Sequence, residues 1–123
     1  MARVAVLSAD LMFGSRVQAS LTAAGAQVEL LATEALVRER LADAWLRPEV
    51  LLVDLTDPDL DGIAALIALR SDGLLDATAT LAYYSHVDAD VRRRALEASF
   101  DLVVPRSRMA REAPQLLASL TGG

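Results

Sequence analysis

EVLLVDLTDPDLDG, residues 49 to 62, joins two kinds of sequence whose meeting decides the fold. Its first half, EVLLV, carries an apolar run, VLLV, of the kind that forms a strand covered on both faces. Its second half, VDLTDPDLDG, places four aspartates in ten positions directly after that run. Such a change of character at a strand end marks the carboxyl edge of an open α/β sheet, where ligands bind.

Working outward from this point, apolar runs alternate with segments of helical periodicity along the whole chain, giving (βα) five times. Residues 3 to 8 form the first predicted strand, 27 to 32 the second, 50 to 55 the third, 79 to 84 or 85 the fourth and 101 to 105 the fifth. After the first strand, Phe13, Val17, Leu21 and Ala24 share a helix face, and Gly25 stops that helix. Thr33 is a predicted N-cap before a stripe of Val37, Leu41 and Ala44, and Trp45 is expected at the edge of the core. Asp88 or Asp90 starts the fourth helix, where Val91, Ala95 and Ala98 face inward and Asp90–Arg94 and Arg93–Glu97 are outer ion pairs. Met109, Ala113, Leu116 and Leu120 outline the last helix, which Pro114 kinks or restarts.

Strands apolar along their whole length call for a parallel sheet sandwiched between helices. Right-handed crossovers leave few arrangements, and for five strands the expectation is a flavodoxin-like three-layer α/β sandwich of strand order 2-1-3-4-5. At 123 residues the chain is read as one domain, 1 to 123. It has no run approaching the ~18 to 20 apolar residues that span a bilayer. Its N-terminus, MARVAVLSAD, lacks the layout of a signal peptide, so the expected location is cytoplasmic, away from membranes. Cysteine is absent, which excludes disulfides, thiolate metal sites and cysteine nucleophiles. All 12 basic residues are arginine, and the net charge of −5 argues against nucleic acid as a partner.

The acidic loop admits three readings. DPDLDG, 57 to 62, matches the start of a calcium loop, but the twelfth position from Asp57 is Ala68 where a bidentate glutamate is required. As a polar turn, Asp57, Pro58, Asp59 and Gly62 are good turn residues and Asp61 caps the next helix. Asp54 differs, because it ends a central strand; Asp10, at the end of the neighbouring first strand, approaches it across the sheet edge. Two carboxylates with a free backbone carbonyl suit Mg²⁺, and an aspartate beside such a metal can act as a nucleophile toward phosphorus. No glycine-rich phosphate loop follows the first strand, and no Ser/His/Asp arrangement is forced by spacing.

With Asp54, Pro58, Asp61 and Gly62 at these spacings, and ALEAS (95 to 99) ending the fourth helix, the chain resembles a receiver domain of two-component response regulators over its whole length. The resemblance implies that Asp54 accepts a phosphoryl group from a histidine kinase or a small phosphodonor, with Mg²⁺ held by Asp10, Asp54 and the carbonyl of Thr56. It implies no enzyme beyond self-phosphorylation and autodephosphorylation. A hydroxyl at the end of the fourth strand closes onto the phosphoryl group, and a cation after the fifth neutralises it.

The pattern is atypical in three places. Ala9 replaces the first of two adjacent acids, which weakens Mg²⁺ binding. Tyr84 stands at the small-hydroxyl position, and Ser85 substitutes only if the strand end shifts. The usual lysine corresponds to Val104 if prolines are matched, or to Arg106 by an ungapped count from Asp54, and the second alignment is favoured. His86 is a further candidate at this edge, weighed against a merely solvated loop histidine. Tyr83 and Tyr84 are either a binding platform or packing with hydroxyls at the rim. The expected functions are therefore a stand-alone receiver phosphorylated on Asp54 or, alternatively, a phosphorylation-independent pseudo-receiver that binds proteins. A flavodoxin-like domain holding a small ligand at this edge is a third. The output is expected through a downstream protein or a homodimer at the face around strands 4 and 5.

Overall fold

The structure is a computed structural model and describes residues 2–122. Among them, β1 (Arg3–Leu7), β2 (Gln27–Leu31), β3 (Val50–Asp54), β4 (Ala79–Tyr84) and β5 (Leu102–Pro105) alternate with five helices. These are α1 (Leu11–Ala23), α2 (Glu34–Ala42), α3 (Gly62–Ser71), α4 (Ala89–Glu97) and α5 (Arg106–Thr121). Every strand pair is parallel and the order is β2-β1-β3-β4-β5, the flavodoxin-like arrangement. The central strands are the most buried: all of β3, and all of β4 after its first residue.

Side-chain alternation splits each strand between two cores. Val4, Val6, Val50, Leu52, Leu81, Tyr83 and Val104 pack under α1 and α5 with Phe13, Val17, Leu21, Met109, Ala113 and Leu116. Ala5, Leu7, Leu51, Val53 and Ala82 pack under α2, α3 and α4 with Val37, Leu41, Leu66, Leu69 and Ala95. Burial on both faces is what unbroken apolar strands require.

Helix boundaries follow capping chemistry. Asp10, Thr33, Asp61 and Asp88 are N-caps whose side chains accept backbone N–H bonds from the first turns of α1, α2, α3 and α4. Gly25 has φ of +98°, a left-handed turn after α1 that glycine adopts without strain. Pro114 breaks the regularity of α5, with Glu112 out of helical conformation before it.

Several expectations are corrected. Trp45 is 89% exposed, away from the core edge. The cause is that α2 ends at Ala42, and the Asp43 carboxylate then accepts the Trp45 N–H in a loop. Ala24 and Ala44 lie beyond their helices and are exposed. On α4, Arg93 bonds both Asp90 and Glu97, so the pair expected between Asp90 and Arg94 does not form. Tyr83 carries its hydroxyl into the interior instead of to the rim. In the last helix, Leu117 is buried whereas Leu120 is only partly covered.

Candidate functional site

The parallel register brings the carboxyl ends of β1, β3, β4 and β5 to one edge: Leu7 lies beside Val53, Asp54 beside Tyr83, and Tyr83 beside Val104. The residues that leave these strands make the site.

Asp10 leaves β1 as the N-cap of α1. Its Oδ1 accepts from the Met12 and Phe13 N–H groups at 3.1 Å each, and its Oδ2 meets an Arg106 guanidinium nitrogen at 3.2 Å. Ala9, next to it, is exposed and contributes no carboxylate.

Asp54 is 0% exposed, and both its oxygens are occupied. Oδ1 accepts from the Thr56 N–H at 2.7 Å and the Thr56 hydroxyl at 2.6 Å, while Oδ2 accepts from the Ser8 hydroxyl at 2.7 Å. Ser8 in turn accepts from the Asp10 N–H at 3.1 Å. Neutral donors thus replace the lost hydration of this carboxylate. Nothing in the sequence reading gave Ser8 a role. The available signal was that it is the one polar residue continuing the alternation of Val4 and Val6, the face to which Asp54 also belongs.

Tyr83, read from the sequence as a binding platform or as packing, shares that face with Asp54. It is 0% exposed, its ring lies 5.3 Å from that of Phe13 with a 52° tilt, and its hydroxyl has no hydrogen-bond partner. Burial pushes its phenol above the usual range and the Asp54 charge adds to this; the Ser8 hydroxyl and Arg106 act in the opposite sense. Ser8, the hydroxyl that would relieve Tyr83, donates to Asp54 instead. Tyr84, the expected switch position, is buried on the opposite face from Asp54. Ser85 is half-buried and His86 exposed in the loop that follows.

Of the two candidate positions for a cation, Val104 sits in the α1/α5 core at 1% exposure. Arg106, the first residue of α5, reaches back to Asp10, and its guanidinium carbon lies 4.2 Å from the centre of the Phe13 ring. The remaining loop aspartates shape the backbone. Asp57 accepts from the Asp59 N–H at 2.8 Å and Asp61 from the Ala64 N–H at 3.0 Å. Gly62 is fixed by close approach, because a Cβ there would lie 2.5 Å from Val53 Cγ1 and 2.7 Å from Leu55 Cδ2.

These donors fit Mg²⁺ poorly. Among the described residues no cluster of three or more His, Cys, Asp or Glu is placed to hold a metal ion. Both Asp54 oxygens are taken by hydroxyl and amide donors, and Asp10 divides its oxygens between a helix cap and a guanidinium.

No family model matches the chain, and no curated protein does. Solved structures do match its fold. A putative response regulator from Chloroflexus aurantiacus superimposes with a TM-score of 0.85 at 16% identity, covering 99% of this chain and 98% of that one. The receiver domain of TorR, the TMAO respiratory system response regulator, gives 0.82 at 21% identity over 99% and 98%. A response regulator receiver domain protein from Clostridium thermocellum gives 0.82 at 14% identity over 99% and 95%. The chain has the fold of response-regulator receiver domains.

Proposed function

We propose that this receiver-fold chain is a signalling module that acts by protein contact without phosphoryl transfer, with Asp54 as a buried structural anion. The observation that carries this reading is the enclosure of Asp54, at 0% exposure with both oxygens hydrogen-bonded. Ala9 in place of an acid and the buried Tyr84 in place of a small hydroxyl support it as well. The partner is a protein, or a second copy of the chain, engaging the side of the sheet around β4 and β5. No helix among the described residues is long and apolar enough to cross a membrane.

A second reading keeps Asp54 as a phosphoacceptor in two-component signalling. Its support is that Asp10, Asp54 and Arg106 gather at one sheet edge above the spacing of Pro58, Asp61 and Gly62. On that reading the donor is a histidine kinase or a small phosphodonor, Mg²⁺ is held by Asp10, Asp54 and the Thr56 carbonyl, and Ser85 takes the switch role that Tyr84 is too large to fill.

Intact mass after incubation with Mg²⁺ and acetyl phosphate separates the two, run on the wild type and Asp54→Ala. The expected result is no adduct on either. A phosphoryl adduct on the wild type alone overturns the first reading in favour of the second.

A further inference from the structure

At the end of the sheet opposite Asp54 lies a hollow of about 350 Å³, lined by Arg70, Leu75, Asp76, Thr78, Thr80 and Asp101. Asp54 closes β3 at its carboxyl end, whereas Thr80 is near the start of β4 and Asp101 directly precedes β5. The hollow therefore sits at the amino ends of the strands and shares no residue with the edge that holds Asp10, Asp54 and Arg106.

Arg70, Asp76 and Asp101 bring charges of both signs to one hollow, yet among the described residues none of them forms an ion pair. Arg70 is pinned away from the carboxylates: its terminal nitrogens donate to the carbonyl of Ala98 and, at 2.9 Å, to that of Ser99, in the turn after α4. These bonds fix the planar fork and leave its other N–H groups for a further partner. Asp101 is fixed as well. Its Oδ2 accepts from the Thr80 N–H at 2.7 Å and the Thr80 hydroxyl at 3.3 Å, and its own N–H donates to that hydroxyl at 3.2 Å. Thr80 is 2% exposed, and the buried Thr78 hydroxyl is tied to the Pro48 carbonyl, so these groups form a firm floor. Asp101 Oδ1 and both Asp76 oxygens have no hydrogen-bond partner among the described residues.

We infer that this hollow binds a small zwitterion, an α-amino acid, with its ammonium group on Asp76 and Asp101 and its carboxylate on Arg70. A ligand of one sign meets a like charge somewhere in the hollow, whereas one that carries both signs meets each with its opposite. A guanidinium takes a carboxylate through parallel N–H donors, and an ammonium group offers three donors to carboxylate oxygens. Because Arg70 and Asp101 are already held in place, binding costs little further ordering. The buried Leu75 gives a small apolar side chain a wall to pack on. The volume lies near the lower end of ligand sites, roughly 300 to 1,000 Å³, and suits an amino acid better than a nucleotide. The site is independent of whether Asp54 accepts a phosphoryl group.

Heteronuclear amide spectra of the whole chain test it, titrated with L-alanine and, separately, with ethylamine and propionate, each of which keeps one of its two charges. L-Alanine should shift the amides of Asp76, Thr80 and Asp101 along a saturable curve and leave those of Ser8 and Thr56 in place. Ethylamine and propionate should each need about tenfold more to reach the same shift. Asp76→Asn, which removes a carboxylate that holds no other contact, should raise the L-alanine midpoint about tenfold, while Glu39→Gln, on α2, leaves it unchanged. Shifts that never saturate, a single-charge compound that matches L-alanine, or an Asp76→Asn midpoint equal to wild type would each overturn the site.

Discussion

The Ser8 hydroxyl donates to Asp54 Oδ2 at 2.7 Å, joining the ends of β1 and β3 through a wholly buried bond. Ser8 also accepts the Asp10 N–H, so one hydroxyl ties Asp54 to the cap of α1. This places the two carboxylates of the edge in one hydrogen-bonded network.

Ser8→Ala leaves a buried carboxylate short of a donor and the Asp10 N–H short of an acceptor. Unsatisfied buried groups cost about 1–3 kcal/mol each way they are left, and a loss in that range is expected from urea unfolding. Asp54→Asn, which keeps one acceptor oxygen, should lose less than Asp54→Ala. If Ser8→Ala matches wild-type stability, the network does not hold the edge together.

Tyr83→Phe removes a hydroxyl that has no partner. The variant should be at least as stable as wild type, by up to about 1 kcal/mol. The pH dependence follows from the raised phenol. Below about pH 10 both folded and unfolded chains keep the proton, and the contribution to stability is fully present. Above it the unfolded chain releases the proton while the folded chain still holds it. Stability therefore falls as pH rises through the folded-state value. Unfolding midpoints across the alkaline range should fall more steeply for wild type than for Tyr83→Phe. A variant less stable at neutral pH would mean that the hydroxyl is bonded after all.

Trp45, 89% exposed, offers a direct check on the end of α2. Its fluorescence should be quenched by acrylamide as fully in the folded as in the unfolded chain. Trp45→Ala should change stability by less than about 0.5 kcal/mol. Shielded emission would restore the tryptophan to the core edge.

What the sequence could disclose divides along physical lines. Unbroken apolar strands declare burial on both faces, and Thr33, Asp61 and Asp88 declare helix starts because their short polar side chains suit the N-cap. Asp10 and Asp54 are legible as strand-end acids for the same local reason. Ser8 and Tyr83 were not, since their role depends on which face of the sheet they occupy beside Asp54, and that depends on register between strands distant in sequence. Periodicity carried the stripe of α2 on to Ala44, but the helix ends at Ala42 with Asp43 as its C-cap, which leaves Trp45 in the loop beyond.

Gly62 carries the last prediction, because it links the acidic loop to the strand below it. An added methyl would press on Val53 Cγ1 at 2.5 Å and Leu55 Cδ2 at 2.7 Å, and come within 3.3 Å of the Asp54 carbonyl. Val53 is fully buried and cannot yield without disturbing β3, so Gly62→Ala must shift α3 or the strand end. Overpacking of this kind costs about 1–3 kcal/mol, and urea unfolding should show a loss of that size although alanine is the better helix former. The displacement should also reach Asp54, visible as amide shifts at Thr56 and Ser8 in a heteronuclear spectrum. A stabilised Gly62→Ala with unmoved amides would show that the loop has room there, and that the glycine answers to helix entry alone.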